Sequence, residues 1–276
     1  MELTSEHYAK LTQQIYLRLG LHFEDKKAYF LQKRVERRME LLGLCDPQEY
    51  VFRLCYADPE GKEMQALANL ITTNETYMFR EYEQLEAFAN CCLPEVLSAK
   101  QARGEQRLRI WSAGCSSGEE PYTLAMIVQE VFPQSQYWDC EIVGTDIDQN
   151  MLAQAARARY WARSVRDVPC EYLDKYLIRE GESYTVRPKI TAMVRFAHLN
   201  LHDHFAMRAM RDFDFIFCRN VLIYFDDRSR KAAVDHFYGS LNRGGYIFLG
   251  HSESVGRISS LFKLKRVETH LVYAKE

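Results

Sequence analysis

No two of the eight cysteines in this 276-residue chain are spaced C-x-x-C, which excludes the usual redox or metal-clip motif. Cys45, Cys55, Cys91, Cys92, Cys115, Cys140, Cys170 and Cys218 fall mostly in apolar runs, so reduced and mainly buried thiols are expected. No sign of charge dominates. Lys and Arg number 36 against 38 Asp and Glu, for a net charge of -2 and a pI near 6.5. That balance argues against a wholesale nucleic-acid binder and leaves a local basic face open. Long apolar runs are missing too: the richest, Phe213 to Phe225, is interrupted by Asp214, Arg219 and Asn220. The opening MELTSEHYAK has no apolar segment of the signal-peptide kind. A cytoplasmic protein without direct membrane insertion is the expectation. Internal repeats and low-complexity segments are absent.

What is present is concentrated between Leu108 and Ala125, where LRIWSAGCSSGEEPYTLA passes from a short apolar strand through a glycine-bracketed loop into an acidic helix start. This order builds a nucleotide-type pocket at the carboxyl end of a parallel strand. A dinucleotide fold wants G-x-G-x-x-G for its pyrophosphate, but only Gly114 and Gly118 are here. Glu119 and Glu120 stand where an anionic phosphate would go. Carboxylates suit a ligand that is cationic or rich in hydroxyls and amines, and S-adenosylmethionine, with its sulfonium and amino group, is such a ligand. The missing third glycine disfavours a dehydrogenase.

Helical periodicity runs from Ser5 to about Thr72, with turn signals at Gly20, Gly43 to Pro47 and Pro59 to Gly61, and predicts about four helices. A polar then aromatic linker, Thr73 to Arg80, leads to a helix over Tyr82 to Ala99. Strands then alternate with helices: Leu108 to Ser112, a helix from Glu119, Glu141 to Thr145, a helix from Asp148, Val194 to His198, Asp214 to Cys218, a helix from Asp226, and Tyr246 to Leu249. Phe262 to Arg266 and Leu271 to Ala274 read as a closing antiparallel hairpin. The fold class is therefore α/β, a doubly wound, mainly parallel sheet preceded by an all-helical domain. The expected division is 1–72 for the helical bundle, 73–106 for the linker and its helix, and 107–276 for the sheet domain.

Asp146 ends the second strand in Val143-Gly144-Thr145-Asp146, where an acid in such folds hydrogen-bonds ribose hydroxyls. Its other role would be to cap the next helix, but Asp148 can do that. Asn200-Leu201 and Cys218-Arg219-Asn220-Val221 sit at further strand ends on the same rim, where amides can read an adenine edge or an amino-acid moiety.

Taken together, Thr73-Asn74-Glu75-Thr76-Tyr77-Met78-Phe79-Arg80-Glu81, GCSSGEEPYT, GTDID and FCRNVLIYF resemble the CheR family of chemotaxis receptor methyltransferases, over nearly the whole chain. The resemblance implies a class I, Rossmann-like methyltransferase with S-adenosylmethionine as cofactor, S-adenosylhomocysteine as product and no metal. It places Asn74, Thr76, Arg80, Glu120, Asp146, Asn200, Leu201, Asn220 and Val221 at cofactor-contacting positions, beside Gly114 of the loop. Whether Glu119 shares the role of Glu120 stays open. Met78-Phe79 replaces the family's usual paired phenylalanines. The implied reaction is methyl transfer to glutamate carboxylates on chemoreceptor helices. A glutamate with pKa about 4.3 is already ionised at neutral pH, so no general base is required. Tyr77, Phe79 and Tyr224 are expected to wall a dry pocket, and Arg80 to orient a carboxylate by a forked pair of hydrogen bonds; Arg80 and Tyr224 are the catalytic candidates.

On a helical wheel Lys26, Lys27, Lys33, Arg34, Arg37 and Arg38 fall within an arc of roughly 140°, beside an apolar stripe of Ala28, Leu31, Val35, Met39 and Leu42. Lys33, Arg34, Arg37 and Arg38 are the expected docking residues for an acidic receptor helix, with Glu36 and Glu40 outside the arc. A nucleic-acid partner has no supporting motif, and the N-P-P-Y signature of many base methyltransferases is absent near Asn220. Residues Tyr176 to Lys189 resemble the family's inserted β-hairpin, placed at about 176–192. Its short turn, with Gly181 as the one glycine, predicts methylation without a tethering receptor peptide. His198, His202 and His204 lie nominally on one side of a strand end, without the partners of a closed metal site. A monomer is expected. Two alternatives stay open: a methyltransferase for another protein or small acid, and a non-catalytic module that binds S-adenosylmethionine and docks to receptors.

Overall fold

The computed structural model describes residues 3–253, 259–267 and 270–276. Its first part is a bundle of four helices, α1 (Ser5–Leu19), α2 (Ala28–Leu42), α3 (Pro47–Tyr56) and α4 (Lys62–Ile71). The caps follow from the sequence. Thr4 accepts the His7 N–H at the start of α1, and Asp46 caps α3 with Pro47 in the first turn. Gly20 and Gly43 close α1 and α2 in the left-handed region. Residues four apart share a helix face, so Leu11 and Ile15 meet Leu31, Val35 and Met39 in a core completed by Tyr50, Leu54 and Leu67.

Tyr82–Ala87 (α5) and Leu93–Ala102 (α6) are joined through a π-helical turn at Phe88–Cys92. The strands that follow are β1 (Arg107–Ala113), β2 (Asp139–Asp146), β3 (Arg159–Trp161), β4 (Leu177–Glu180), β5 (Ser183–Val186), β6 (Val194–His198), β7 (Phe213–Cys218), β8 (Leu241–Leu249), β9 (Lys263–Val267) and β10 (His270–Ala274). Seven form one sheet in the order β6-β2-β1-β7-β8-β10-β9, parallel from β6 to β8 and antiparallel at β10 and β9.

Alternation along each strand divides the core. Ile110, Phe215, Phe217, Tyr246 and Phe248 face one layer, where Phe88 meets Phe215 and Phe217 edge-on, and where the helix after β1, α7 (Glu119–Val131), packs. Trp111, Ile216, Cys218, Ile247 and Leu249 face the other, against Val234 and Phe237 of the helix Asp227–Ser240. The strand order reverses at β1, whose neighbours are β2 and β7, so the crevice above β1 is the topological switch point where such sheets bind ligands.

Two expectations need correction here. The insertion is more than a hairpin: β4 and β5 pair about the Gly181 turn, and β3 adds to β5, giving a three-stranded antiparallel sheet ordered β3-β5-β4. The thiols are also less buried than their apolar settings imply. Cys92, Cys115 and Cys218 are buried, while Cys45 and Cys170 are exposed.

Candidate active site

β1 ends in a turn at Gly114, whose φ of +78° suits glycine and where a Cβ would lie 2.4 Å from Val221 Cγ2. The N–H groups of Gly114 and Cys115 donate to the Thr145 carbonyl, at 2.8 and 2.9 Å. Asp146, at the end of β2, organises the same corner. Its Oδ2 accepts the Ser116 N–H at 2.7 Å and its Oδ1 the Asp148 N–H at 2.8 Å. Burial pushes the Asp146 carboxyl above its ordinary pKa while these N–H groups pull it down. Each oxygen keeps acceptor capacity for a hydroxyl. Asp148 caps the helix α8 (Gln149–Arg157) through the N–H groups of Asn150 and Met151, which leaves Asp146 free of that task.

The two loop glutamates diverge. Glu119 is buried, accepts from the hydroxyls of Ser117 and Ser164 at 2.7 and 3.0 Å, and is pushed up in pKa by burial. Glu120 instead lies on the wall of a cavity of about 400 Å³ at the switch point. It accepts from Ser112 Oγ at 2.6 Å and from Arg219 Nε at 2.6 Å. Arg219 was not assigned a role from the sequence. Its guanidinium is buried, and it also donates to the Arg80 carbonyl at 2.7 Å and stands 3.9 Å from Glu81. An arginine inside an apolar run was the available signal, since a buried charge needs a partner.

Asn74, Thr76, Tyr77 and Arg80 of the linker line this cavity. Asn74 donates to Asp148 Oδ2 at 2.9 Å, and Arg80 donates to the Glu75 carbonyl at 2.7 Å with its guanidinium 5.8 Å from the Tyr77 ring. Phe79 does not wall the cavity as expected. It is buried with Met78 in the core, its N–H bonded to Thr123 and its ring edge-on to Tyr172 at 4.9 Å. Positive φ at Phe79 (59°) and Glu81 (53°) makes two sharp corners that turn Arg80 the other way.

Asn200, Leu201, Asn220, Val221 and Tyr224 complete the rim, and Phe23, Lys26, Lys27 and Phe30 close it from the helical bundle. The Asn200 amide is engaged, donating to the Arg18 carbonyl at 2.7 Å and accepting the His202 N–H at 2.9 Å, so it ties the bundle to the rim instead of standing free to read a base. Asn220 has φ +60°. Its Oδ1 and the Ser116 Oγ, both in cavity-lining residues, are buried oxygens without a hydrogen-bond partner. Residues with unsatisfied buried oxygens on a wall that also carries Asp146 and Glu120 fit a ligand with several donors, as an amino-acid nucleoside has.

The basic arc is narrower than its helical wheel. Arg38 is withdrawn from it by a two-pronged pair with Glu63, at 2.9 and 2.8 Å, where Tyr50 also donates to the same carboxylate. Glu36 lies beside the arc and accepts from Lys33 at 2.9 Å. Arg34 stacks on Phe30 at 3.7 Å. Lys33 and Arg37 are exposed. His198 is drawn off to Gln65, while His202 and His204 stay neighbours with ring centroids 5.9 Å apart, His204 bonding His236 and His202 packing on Gly20. Among the described residues no group of three or more His, Cys, Asp or Glu side chains is placed to hold a metal ion, and no helix is long and apolar enough to cross a membrane.

A doubly wound seven-stranded sheet with an acid-lined crevice at its switch point defines a class I, Rossmann-like methyltransferase. The chain belongs to the CheR methyltransferase family: residues 6–72 match the model of its all-alpha domain and residues 74–271 that of its SAM binding domain. It is 40% identical over 99% of its length, and 94% of the relative's, to chemotaxis protein methyltransferase 2 of Vibrio cholerae. It is 34% identical to chemotaxis protein methyltransferase 1 of Pseudomonas aeruginosa, over 92% of each chain. A magnesium protoporphyrin IX methyltransferase from Synechocystis with bound SAM overlays 82% of this chain, and 93% of its own, at a TM-score of 0.35 and 15% identity, a likeness too low to build on.

Proposed function

We propose that this enzyme methylates side-chain carboxylates of glutamates on chemoreceptor helices, giving glutamyl methyl esters and S-adenosylhomocysteine. The observation that carries this reading is the continuity of one cavity: it runs from Asp146, Glu120 and Asn220 of the sheet to Lys26 and Lys27 of the helical bundle. A cofactor on the acidic rim thus faces an entrance lined by cations, as an anionic nucleophile requires. The relatives' names as chemotaxis protein methyltransferases point to the same substrate class.

When bound, S-adenosylmethionine supplies an electrophilic methyl group on a sulfonium. Asp146 would accept from its ribose hydroxyls and Glu120 from its amino group, while Asn220 and Ser116 would offer their unsatisfied oxygens. Gly114 lets the chain pass close to the ligand, and Asn74, Thr76, Asn200, Leu201 and Val221 fill out its wall. Arg80 holds a carboxylate in line for transfer. Tyr77 and Tyr224 exclude water, which strengthens every charge interaction inside. The glutamate arrives ionised, so no residue has to remove a proton.

Division of labour follows the domains: 1–72 docks the receptor through Lys33, Arg34 and Arg37, 73–106 supplies the lid segment, and 107–276 binds the cofactor. The enzyme acts as a cytoplasmic monomer recruited to receptor arrays, and without a tethering receptor peptide on its inserted sheet. The test is incubation with methyl-labelled S-adenosylmethionine and receptor cytoplasmic fragments, with base-labile methanol counted from the receptor band. Label from the parent that falls sharply in Arg80→Ala supports the reading. Cofactor binding without label from receptors of several systems supports a binding module or another substrate instead.

A further inference from the structure

On this reading of the cavity as a cofactor site, we infer that Glu253 is a positioning residue: its carboxylate holds the turn from Asn220 to Tyr224 in the shape that presents Asn220 and Val221 to the cofactor. Glu253 follows β8 and is not on the cavity wall. Its N–H closes a turn onto the Gly250 carbonyl at 2.9 Å. Its Oε2 accepts the N–H groups of Gly250 and Asn220, at 2.8 and 2.9 Å, and its Oε1 that of Ile223, at 3.2 Å. One carboxylate therefore ties the end of β8 to the turn that leaves β7.

The turn needs such a tie. Asn220 is held at φ +60°, in the left-handed region that asparagine enters more readily than other non-glycine residues but that the Glu253 carboxylate here fixes through its N–H. The knot has no slack: a Cβ on Gly250 would lie 2.8 Å from both Asn220 N and Nδ2, and 2.9 Å from Glu253 Oε2. The far end of the turn is fixed separately, by the Leu21–Phe225 bridge and by the His22 N–H on the Tyr224 carbonyl. Releasing the Glu253 end would carry Val221 off Gly114 and shift Asn220, a lining residue whose Oδ1 is unsatisfied. Charge-assisted bonds to backbone N–H groups are stronger than neutral ones, so the carboxylate, and not only its shape, is required.

The test is calorimetric titration of S-adenosylhomocysteine into the parent, Glu253→Gln, Glu253→Asp and Gly250→Ala proteins, with a melting temperature for each and a KM for the receptor fragment. Glu253→Gln keeps the size but turns one acceptor into a donor facing N–H groups. It is expected to raise the cofactor Kd about tenfold or more, with the receptor KM unchanged. Glu253→Asp, which keeps the charge, should recover part of that loss. Gly250→Ala keeps Glu253 but crowds Asn220, and should raise the Kd as well; it carries the test if the Gln protein fails to fold. Binding by Glu253→Gln within about twofold of the parent, or equal losses for Asp and Gln, would overturn the inference. A parent protein that does not bind S-adenosylhomocysteine would overturn the cofactor reading itself.

Discussion

Removing the Arg219 guanidinium tests whether Arg219 and Glu120 hold the cavity rim as a structural unit. Arg219 is 9% exposed, and Arg219→Leu would leave Glu120 with only the Ser112 hydroxyl and the Arg80 carbonyl without its donor. Breaking a buried pair from one side costs about 3–5 kcal/mol, because the charge left behind is uncompensated. For a chain of this size each kcal/mol lowers the melting temperature by about 2–4 °C, so a loss on the order of 10 °C is expected. The diagnostic is the double variant with Glu120→Gln, which removes the nearer of the two carboxylates left behind, Glu81 being the other. Urea unfolding of the parent, both single variants and the double at neutral pH should give a coupling of about 2 kcal/mol, within the range for residues in one network. Additivity within about 0.5 kcal/mol would refute the idea that the two residues stabilise the rim as a pair.

Arg38 and Arg37 should separate stability from docking. Arg38→Met is expected to cost about 2–3 kcal/mol, since it strands Glu63, and to leave the receptor KM unchanged; Arg37→Glu should raise that KM with no stability loss, and the reverse pattern would return Arg38 to the docking face. Because burial raises the Asp146 pKa in the folded state, its contribution to stability is present below the ordinary carboxylate pKa and is lost as pH rises through the raised value. Asp146→Asn should therefore flatten that part of the ligand-free stability curve in denaturant titrations, and curves parallel to the parent's would contradict the shift. Cofactor affinity should show the opposite dependence, falling as Asp146 is protonated. Gly114→Ala is expected to abolish cofactor binding in a calorimetric titration. Adding Val221→Ala removes the 2.4 Å contact but keeps the positive φ, which costs a non-glycine residue about 1 kcal/mol, and trims a cavity-lining side chain, so it should restore binding only in part relative to Val221→Ala alone; full restoration to that level would mean that backbone conformation is irrelevant there.

Local pattern was enough for much of the molecule. The helical stripe of Leu31, Val35 and Met39, the strand-loop-helix around Gly114 and the acid ending β2 are written in residues within a few positions of one another, and periodicity reports them directly. That Asp148, two residues on from Asp146, caps the next helix was legible for the same reason. The divergence of Glu119 from Glu120 was not, because adjacent helical residues point about 100° apart and only the fold says which direction is the core.

Pairings across the chain were decided by tertiary structure alone. Arg219 and Glu120 are 99 residues apart, Arg38 and Glu63 are 25 apart, and β3 reaches β5 only after the chain has passed through β4. Charge on a helical wheel cannot reveal a buried partner on another helix, so Arg38 read as a docking residue. A three-residue strand carries too little pattern to announce itself, so β3 went unread. The sequence by itself determined the alternation of the main-sheet strands with helices and the family. The tertiary structure decided which charges face each other, because desolvation makes a buried charge depend on a partner that the chain brings to it only on folding.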